Sequence, residues 1–176
     1  MFPPQTGRTY FRMWSVGDLA LALELWGDAE VTRLIDARGQ FSDADVRARL
    51  EVEIRNQTDH GVCYWPVFQK GSDAFLGCAG LRPYGDDPGV RELGVQLKRT
   101  AWGQGYATEV SRAVIRYSFQ SLRLDALFAG HNPANQGSRR LLAKLGFKWT
   151  HDELYEPTGL YHPSYRLPMM DWVEAT

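Results

Sequence analysis

This sequence of 176 residues has few cysteines, no excess of charge of either sign and no long apolar run. Lysine and arginine together number 20 and the acidic residues 21, which gives a formal net charge of −1. Nucleic-acid binding proteins usually carry a positive field, so this charge balance gives no support to nucleic acid as the main partner, and we expect none. No stretch is apolar for long enough to span a membrane, and the first residues do not form a secretion signal. We therefore expect a cytoplasmic protein with no membrane partner.

The scarcity of cysteine argues against both a disulfide scaffold and a metal centre. Cys63 and Cys78 are the only cysteines, and both stand in apolar, strand-like surroundings. In a reducing compartment such residues are expected to be buried free thiols. The four histidines show no ligand spacing with these cysteines, so no metal site is predicted.

Alternating strand and helix patterns predict the fold class. The length suits a single domain over residues 1–176, and the patterns follow the order β-α-α-β-β-β-α-β-α-β-β. Such an order predicts an α/β fold with a central mixed, twisted sheet and helices on both faces. Ser42 and Asp45 form a capping-box pattern for the second helix, and the last helix is predicted to run from Asn135 to Gly146. Residues Gly27 to Phe41 read as irregular, and the tail from Phe147 as a bulged hairpin.

The clearest chemical signal lies between Arg91 and Phe119. Apolar residues alternate from Leu93 to Leu97, as in a strand with one buried face. After Gly105 the spacing changes to that of an amphipathic helix, carried by the residues from Ala107 to Tyr117. The glycine turn from Trp102 to Tyr106 separates the two. Free N–H groups and the positive end of the helix dipole point at such a turn, so the pattern predicts a phosphate site.

Three kinds of phosphate site compete for this turn. A Walker loop is excluded, because neither its glycine spacing nor its lysine is present. A dinucleotide site is partly matched by Gly103 and Gly105, with Asp125 falling about 20 residues further on. However, Thr108 replaces the third glycine, and Asp125 stands at the beginning of its strand, on the wrong end to meet a ribose. Coenzyme A is the third and favoured alternative.

Three motifs support coenzyme A: E-L-G-V-x-L from Glu92, W-G-x-G-Y-A-T-E from Trp102, and N-x-x-N-x-x-S-R-R-x-L-x-K-L-G-F ending at Phe147. Together they resemble the GNAT superfamily of N-acetyltransferases, and more narrowly its ribosomal-protein N-terminal acetyltransferases. The resemblance implies acetyl-CoA as co-substrate and an amine acceptor. The oligomeric state stays open between monomer and homodimer. One position departs from the superfamily: Thr100 replaces a Gln or Arg, so a phosphate contact has either moved to Arg99 or been dropped.

The resemblance also assigns catalytic roles. Glu92 is the expected general base, and Gly94 beside it is expected to leave room for the acyl group or the amine. An N–H near Val95 is the expected donor to the carbonyl oxygen. Because Leu142 occupies the position of the usual tyrosine, Ser138 is the remaining candidate for protonating the thiolate. The expected coenzyme-binding residues are Val95, Leu97, Trp102, Gly103, Gln104, Gly105, Tyr106, Ala107, Thr108, Asn135, Gly137 and Ser138.

These roles compete with simpler structural ones. Glu92 could be an ordinary solvated carboxylate, Gly94 a bulge, and Asn135 an N-cap. The expected function is acetyl transfer to a primary amine, with a protein or peptide N-terminus favoured over an amino acid, polyamine or antibiotic. A non-catalytic coenzyme A sensor or interaction module is the alternative from another class. Thr100 and the missing tyrosine favour the module, whereas Glu92 and Ser138 favour turnover.

Overall fold

A mixed sheet forms the centre of the fold in a computed structural model, which describes residues 2–35 and 37–173. The strand order over these residues is β1-β2-β3-β4-β5-β7-β6. The strands are β1 (Thr9–Phe11), β2 (Tyr64–Gln69), β3 (Phe75–Pro83), β4 (Val90–Leu97), β5 (Ala126–Gly130), β6 (Lys148–Tyr155) and β7 (Leu160–Pro168). The helices are α1 (Leu19–Trp26), α2 (Ala29–Thr32), α3 (Asp43–His60), α4 (Tyr106–Arg116) and α5 (Gln136–Lys144).

The predicted order of elements and the α/β fold class are confirmed. One helix was not predicted: α2 lies in the stretch that reads as irregular from the sequence. Asp28 caps this helix, because its Oδ1 accepts a hydrogen bond from the N–H of Glu30 at 3.0 Å. A helix of one turn has no hydrophobic periodicity to reveal it, so only its cap could have indicated it.

Local signals in the sequence set the ends of the longer helices. Ser42 Oγ accepts from the N–H of Asp45, whose carboxylate accepts from the N–H of Ser42 in return. At the other end of α3, Gly61 takes a left-handed φ of 71°, as a helix-terminating glycine does. Asn135 caps α5. The final hairpin carries the expected bulge, between Trp149 and His151 of β6.

Apolar residues of the sheet and helices form a large common core. Val110 and Val114 of α4 are fully buried in it, as the helical spacing predicts. Cys63 and Cys78 are buried and free, which confirms the prediction, and burial raises the pKa of both thiols. Among the described helices, none is long and apolar enough to cross a membrane.

A buried carboxylate ties α3 to the sheet. Glu53 has no exposed surface, and its Oε2 accepts from the backbone N–H of Tyr64 at 2.9 Å. Its Oε1 pairs with the guanidinium of Arg82 on β3 and lies 3.3 Å from Nε of Arg49 on α3. A charge removed from water needs such partners, because desolvation otherwise outweighs the attraction. The network therefore fixes where α3 lies on the sheet.

Replacing Glu53 by glutamine tests this role. Glutamine can still accept from the Tyr64 N–H, but it removes the charge that compensates two partly buried arginines. We expect Glu53→Gln to lower the free energy of unfolding by about 3 kcal/mol, measured by urea denaturation. Glu51→Gln removes the same charge at an exposed site of α3 and should change it by less than about 0.5 kcal/mol. Equal stability of the two variants would contradict the role.

Candidate active site

The sheet opens in its middle, where β4 and β5 part. These are parallel neighbours, whereas the other strand pairs of the described sheet are antiparallel. Their ladder covers only Val90 to Glu92, which face Ala126 to Phe128. Beyond Glu92, β4 continues in register with β3 alone as far as Leu97. The opening therefore exposes the β5 side of β4 from Leu93 onward.

The register of β4 shows which backbone groups face this opening. Lys98 donates its N–H to Leu76 O on the β3 side at 2.9 Å, and the register between β3 and β4 has no shift. In an antiparallel ladder, alternate residues direct their N–H to opposite sides of the strand. The N–H of Val95 therefore points away from β3, into the gap. This is the residue expected to supply a donor to the carbonyl oxygen.

A cavity of about 840 Å³ lies at this opening. Its wall contains residues from β4, from the glycine turn and α4, from β5, and from α5. All predicted site residues line it except Gln104 and Thr108. Gln104 instead turns its Nε2 toward the carbonyl of Thr100, at 2.6 Å.

The glycine turn has the geometry expected of an anion site. Gly103 and Gly105 take φ values of 73° and 81°, which residues with a side chain rarely adopt. Gly105 is the N-cap of α4 and contributes no side-chain cap. The first N–H groups of α4 are thus left for a ligand by helix geometry. Backbone donors and the helix dipole together favour a phosphate here.

An arginine from the N-terminal segment stands over this turn. Arg8 donates from Nη1 to Gln104 O at 3.1 Å, and its guanidinium lies 4.3 Å from the centre of the Tyr106 ring. Glu109 holds it in place, accepting from its Nε at 2.7 Å. Arg99, the alternative to the missing Gln or Arg, is paired with Asp28 at 2.8 Å. Nothing in the sequence indicates Arg8, since it is remote from the motif and belongs to none.

The start of α5 forms the opposite wall. Asn135 accepts from the N–H of Ser138 at 3.0 Å through Oδ1, so it does serve as an N-cap. Its side-chain NH₂ and the Ser138 hydroxyl are engaged by no other group in the part of the chain that the structure describes. Gly137 lies between them in the cavity wall, and Leu142 adds an apolar side chain one turn on. The N-cap role therefore leaves both side chains with donors for a ligand.

Glu92 lies at the fork, the last residue of the β4–β5 ladder and part of the cavity wall. It is directly opposite Arg82 of β3. Burial raises the pKa of the Glu92 carboxyl above the ordinary value, against the opposing effect of Arg82 and Arg49. Glu53 and Glu153 add to the rise. Glu92 is therefore not an ordinary solvated carboxylate.

The space beside Glu92 is not open as expected. A Cβ at Gly94 would come within 2.2 Å of the Tyr64 ring, because Tyr64 lies across the glycine pair Gly80 and Gly94. The glycine therefore accommodates an aromatic ring, and it is not a bulge, since the register is continuous there. Tyr64, Arg49 and Arg82 all line the cavity, and none was predicted. They belong to α3, β2 and β3, which lie outside the three motifs that support coenzyme A.

Comparison with known proteins agrees with this geometry. Residues 8–148 match the model of the acetyltransferase (GNAT) domain. The uncharacterized N-acetyltransferase p20 of Bacillus licheniformis is 29% identical over 81% of this chain and 80% of its own. A GNAT-family acetyltransferase from Bacillus anthracis has the same fold, with a TM-score of 0.82 and 21% identity, covering 97% of this chain and 99% of its own.

Two other solved structures differ in what they are described as acting on. A putative ribosomal-protein-serine acetyltransferase of Vibrio cholerae has a TM-score of 0.79 and 19% identity, covering 95% of this chain and 97% of its own. A spermidine N-acetyltransferase of Vibrio cholerae, solved with CoA and spermine, has a TM-score of 0.77 and 15% identity, covering 93% and 96%. These identities show a shared fold alone. The domain match covers most of the chain, and the protein belongs to the GNAT family of acetyltransferases.

Proposed function

We propose that this protein transfers the acetyl group of acetyl-CoA to a primary amine, with Glu92 as general base. One observation carries the proposal: a half-buried carboxylate with a raised pKa lies at the fork of β4 and β5, and an uncapped glycine turn opens into the same cavity. The first group suits deprotonation of an amine and the second suits a pyrophosphate. A binding module needs the second and has no use for the first.

The coenzyme supplies an activated acyl group as a thioester, and the protein has to hold it. Backbone N–H groups at the start of α4 are suited to its phosphates, and the Arg8 guanidinium, which is paired with Glu109, lies beside them. The Asn135 amide on the opposite wall suits the amide groups of the pantetheine arm. Two predicted coenzyme-binding residues, Gln104 and Thr108, do not line the cavity and remain predictions. The other ten line it: Val95, Leu97, Trp102, Gly103, Gly105, Tyr106, Ala107, Asn135, Gly137 and Ser138.

Acyl transfer also needs stabilisation of the carbonyl oxygen and protonation of the leaving sulfur. The N–H of Val95 faces the gap and suits the oxygen as it gains negative charge. Ser138 has a hydroxyl in the cavity and is proposed to donate to the thiolate. Leu142, in the position of the usual tyrosine, cannot do so. Glu92 takes the proton of the attacking amine.

For the acceptor, we favour the N-terminal amine of a protein or peptide. The motifs resemble the ribosomal-protein branch, and one structural neighbour is described as a ribosomal-protein-serine acetyltransferase. Against this, other neighbours are described as acetyltransferases of spermidine and of aminoglycosides. A panel of peptides and small amines, with detection of free thiol and of the acetylated product, distinguishes these classes. Coenzyme binding with no acceptor-dependent turnover across the panel would favour a sensor module.

The glycine turn generates the prediction for coenzyme binding. Gly105→Asp brings negative charge to the expected pyrophosphate site and should weaken acetyl-CoA binding about a hundredfold or more, measured by calorimetry. Gly159→Asp is the matched control, because Gly159 also has a positive φ and open surroundings but lies in the β6–β7 turn. It should bind normally. If the unchanged protein binds NAD and not acetyl-CoA, the glycine turn is a dinucleotide site.

The raised pKa of Glu92 generates the prediction for catalysis. Glu92→Gln should lower kcat/KM by about ten- to a thousandfold near neutral pH and leave acetyl-CoA affinity unchanged. The base acts only when deprotonated, so the rate of the unchanged enzyme should fall as pH drops through a pKa above that of an ordinary glutamate. The variant should lack this limb and recover as pH rises toward the pKa of the acceptor amine.

Glu156→Gln is the control for that variant, because Glu156 is exposed in the turn of the final hairpin. It should keep the normal rate and pH profile. A Glu92→Gln enzyme with a normal rate at neutral pH, or with weakened coenzyme binding, would show that Glu92 is structural and that another group is the base.

A further inference from the structure

Two guanidinium groups lie in the cavity wall near Glu92. Arg49 and Arg82 both line it, and both are directed at one buried carboxylate, that of Glu53. Glu53 also accepts from the Tyr64 N–H, so its two oxygens are already engaged. The two arginines therefore share this one carboxylate at close range, and the charge of Glu92 acts on them only over a longer distance.

Most donors of these two arginines have no acceptor among the residues that the structure describes. Across the described residues, Arg82 donates only through Nη2, and its Nε is buried without a partner. Nε of Arg49 lies 3.3 Å from Glu53 but forms no well-directed hydrogen bond. The terminal nitrogens of Arg49 donate no hydrogen bond in the same part of the chain. Unpaired donors of this kind suit an anionic ligand that is planar and bidentate.

Both side chains are positioned rather than mobile. The guanidinium of Arg82 lies 4.3 Å from the Tyr64 ring centre, and that of Arg49 lies 5.4 Å from the Trp26 ring centre. Their side chains are 20% and 15% exposed, so they can reach a ligand while remaining shielded from solvent. Shielding matters, because an ion pair in the open is worth little.

Glu92 interacts with the two arginines by charge but is not in direct contact with either of them. It is opposite Arg82 on the sheet, yet it forms no ion pair within 4.0 Å among the described residues. Directly opposed residues have Cβ atoms about 5 Å apart. An acceptor whose amine and anionic group are separated by only a few bonds can therefore contact Glu92 with the amine and the arginines with the anion.

We propose that the acceptor carries a carboxylate close to its amine, and that Arg49 and Arg82 bind that carboxylate while Glu92 receives the amine. This inference rests on the proposed function, whose substrate class it narrows. The charges match, because an ammonium meets Glu92 and a carboxylate meets the arginines. A polyamine or an aminoglycoside brings only positive charge to the arginines and is a poor acceptor.

Two sources present this chemistry: a free amino acid, or a peptide whose first residue is aspartate or glutamate. The test compares matched pairs with acetyl-CoA and detects both free thiol and product. Free L-amino acids are compared with their amides, and an Asp-Ala amide with an Asn-Ala amide. Spermidine and an aminoglycoside complete the panel. The amine of an amino-acid amide is less basic than that of the free acid, so a larger fraction of it is neutral and reactive near neutral pH. Basicity therefore favours the amide, and a faster reaction of the free acid has to come from its carboxylate.

The expected result is a kcat/KM about tenfold or more higher for the carboxylate member of one pair. Arg49→Gln should remove most of this preference, because it raises KM for the carboxylate member far more than for the neutral member. A change in the protonation of Glu92 acts on both members of a pair alike, so the ratio of their kcat/KM values reports the carboxylate site alone. Arg47→Gln is the matched control, an exposed arginine of α3, and should keep the preference. Arg82 is left unchanged, because its removal would leave Glu53 buried without its main partner. Circular dichroism verifies that the variants fold.

The outcomes separate this inference from the function on which it rests. Equal or better acetylation of neutral amines, spermidine or the aminoglycoside overturns the carboxylate site and leaves the acetyltransferase intact. If no amine is acetylated, calorimetry measures whether the same amino acids bind in the presence of CoA, and this binding tests the carboxylate site. Binding that requires the carboxylate and is lost in Arg49→Gln supports the site even though turnover fails. Absence of carboxylate-dependent binding overturns it.

Discussion

The site depends on one interruption of hydrogen bonding, the early end of the parallel ladder between β4 and β5. A continuous ladder would pair the N–H of Val95 with β5 and close the cavity. Because the strands part after Glu92, the sheet can present backbone donors and a carboxylate to the same space. The rest of β4 remains rigid, since its register with β3 is continuous. The opening is thus a fixed feature of the backbone.

Buried charge organises the acceptor side of this opening. Glu53 forms an ion pair with Arg82 and lies close to Arg49. Burial raises the pKa of the Glu92 carboxyl, and the two arginines oppose that rise. Structural and chemical roles are therefore combined in one network: the same arginine that compensates the anchor of α3 also tunes the proposed base. Removing charge anywhere in the network should change both stability and the protonation of Glu92.

The sequence predicts well what depends on local physics. Periodicity identified the strands and long helices, and the caps at Ser42, Gly61 and Asn135 set their ends. The positive φ of Gly103 and Gly105 likewise follows from residue type. What it could not predict arises from tertiary contacts. Arg8 reaches the glycine turn from the N-terminal segment, and Tyr64 fills the space over Gly94 from a strand two places away. Neither contact leaves a pattern in the residues around it.

The central claim is that the gap beside β4 holds the acetyl carbonyl on the N–H of Val95. A backbone donor cannot be deleted by changing a side chain, so the carbonyl itself is the better probe. Isotope-edited infrared spectroscopy of acetyl-CoA labelled with ¹³C at the thioester carbonyl, bound without an acceptor, reports its hydrogen bonding. The account predicts a stretching frequency below that of the free thioester in water. A frequency equal to or above the free value would show that no donor holds the carbonyl and would contradict the account.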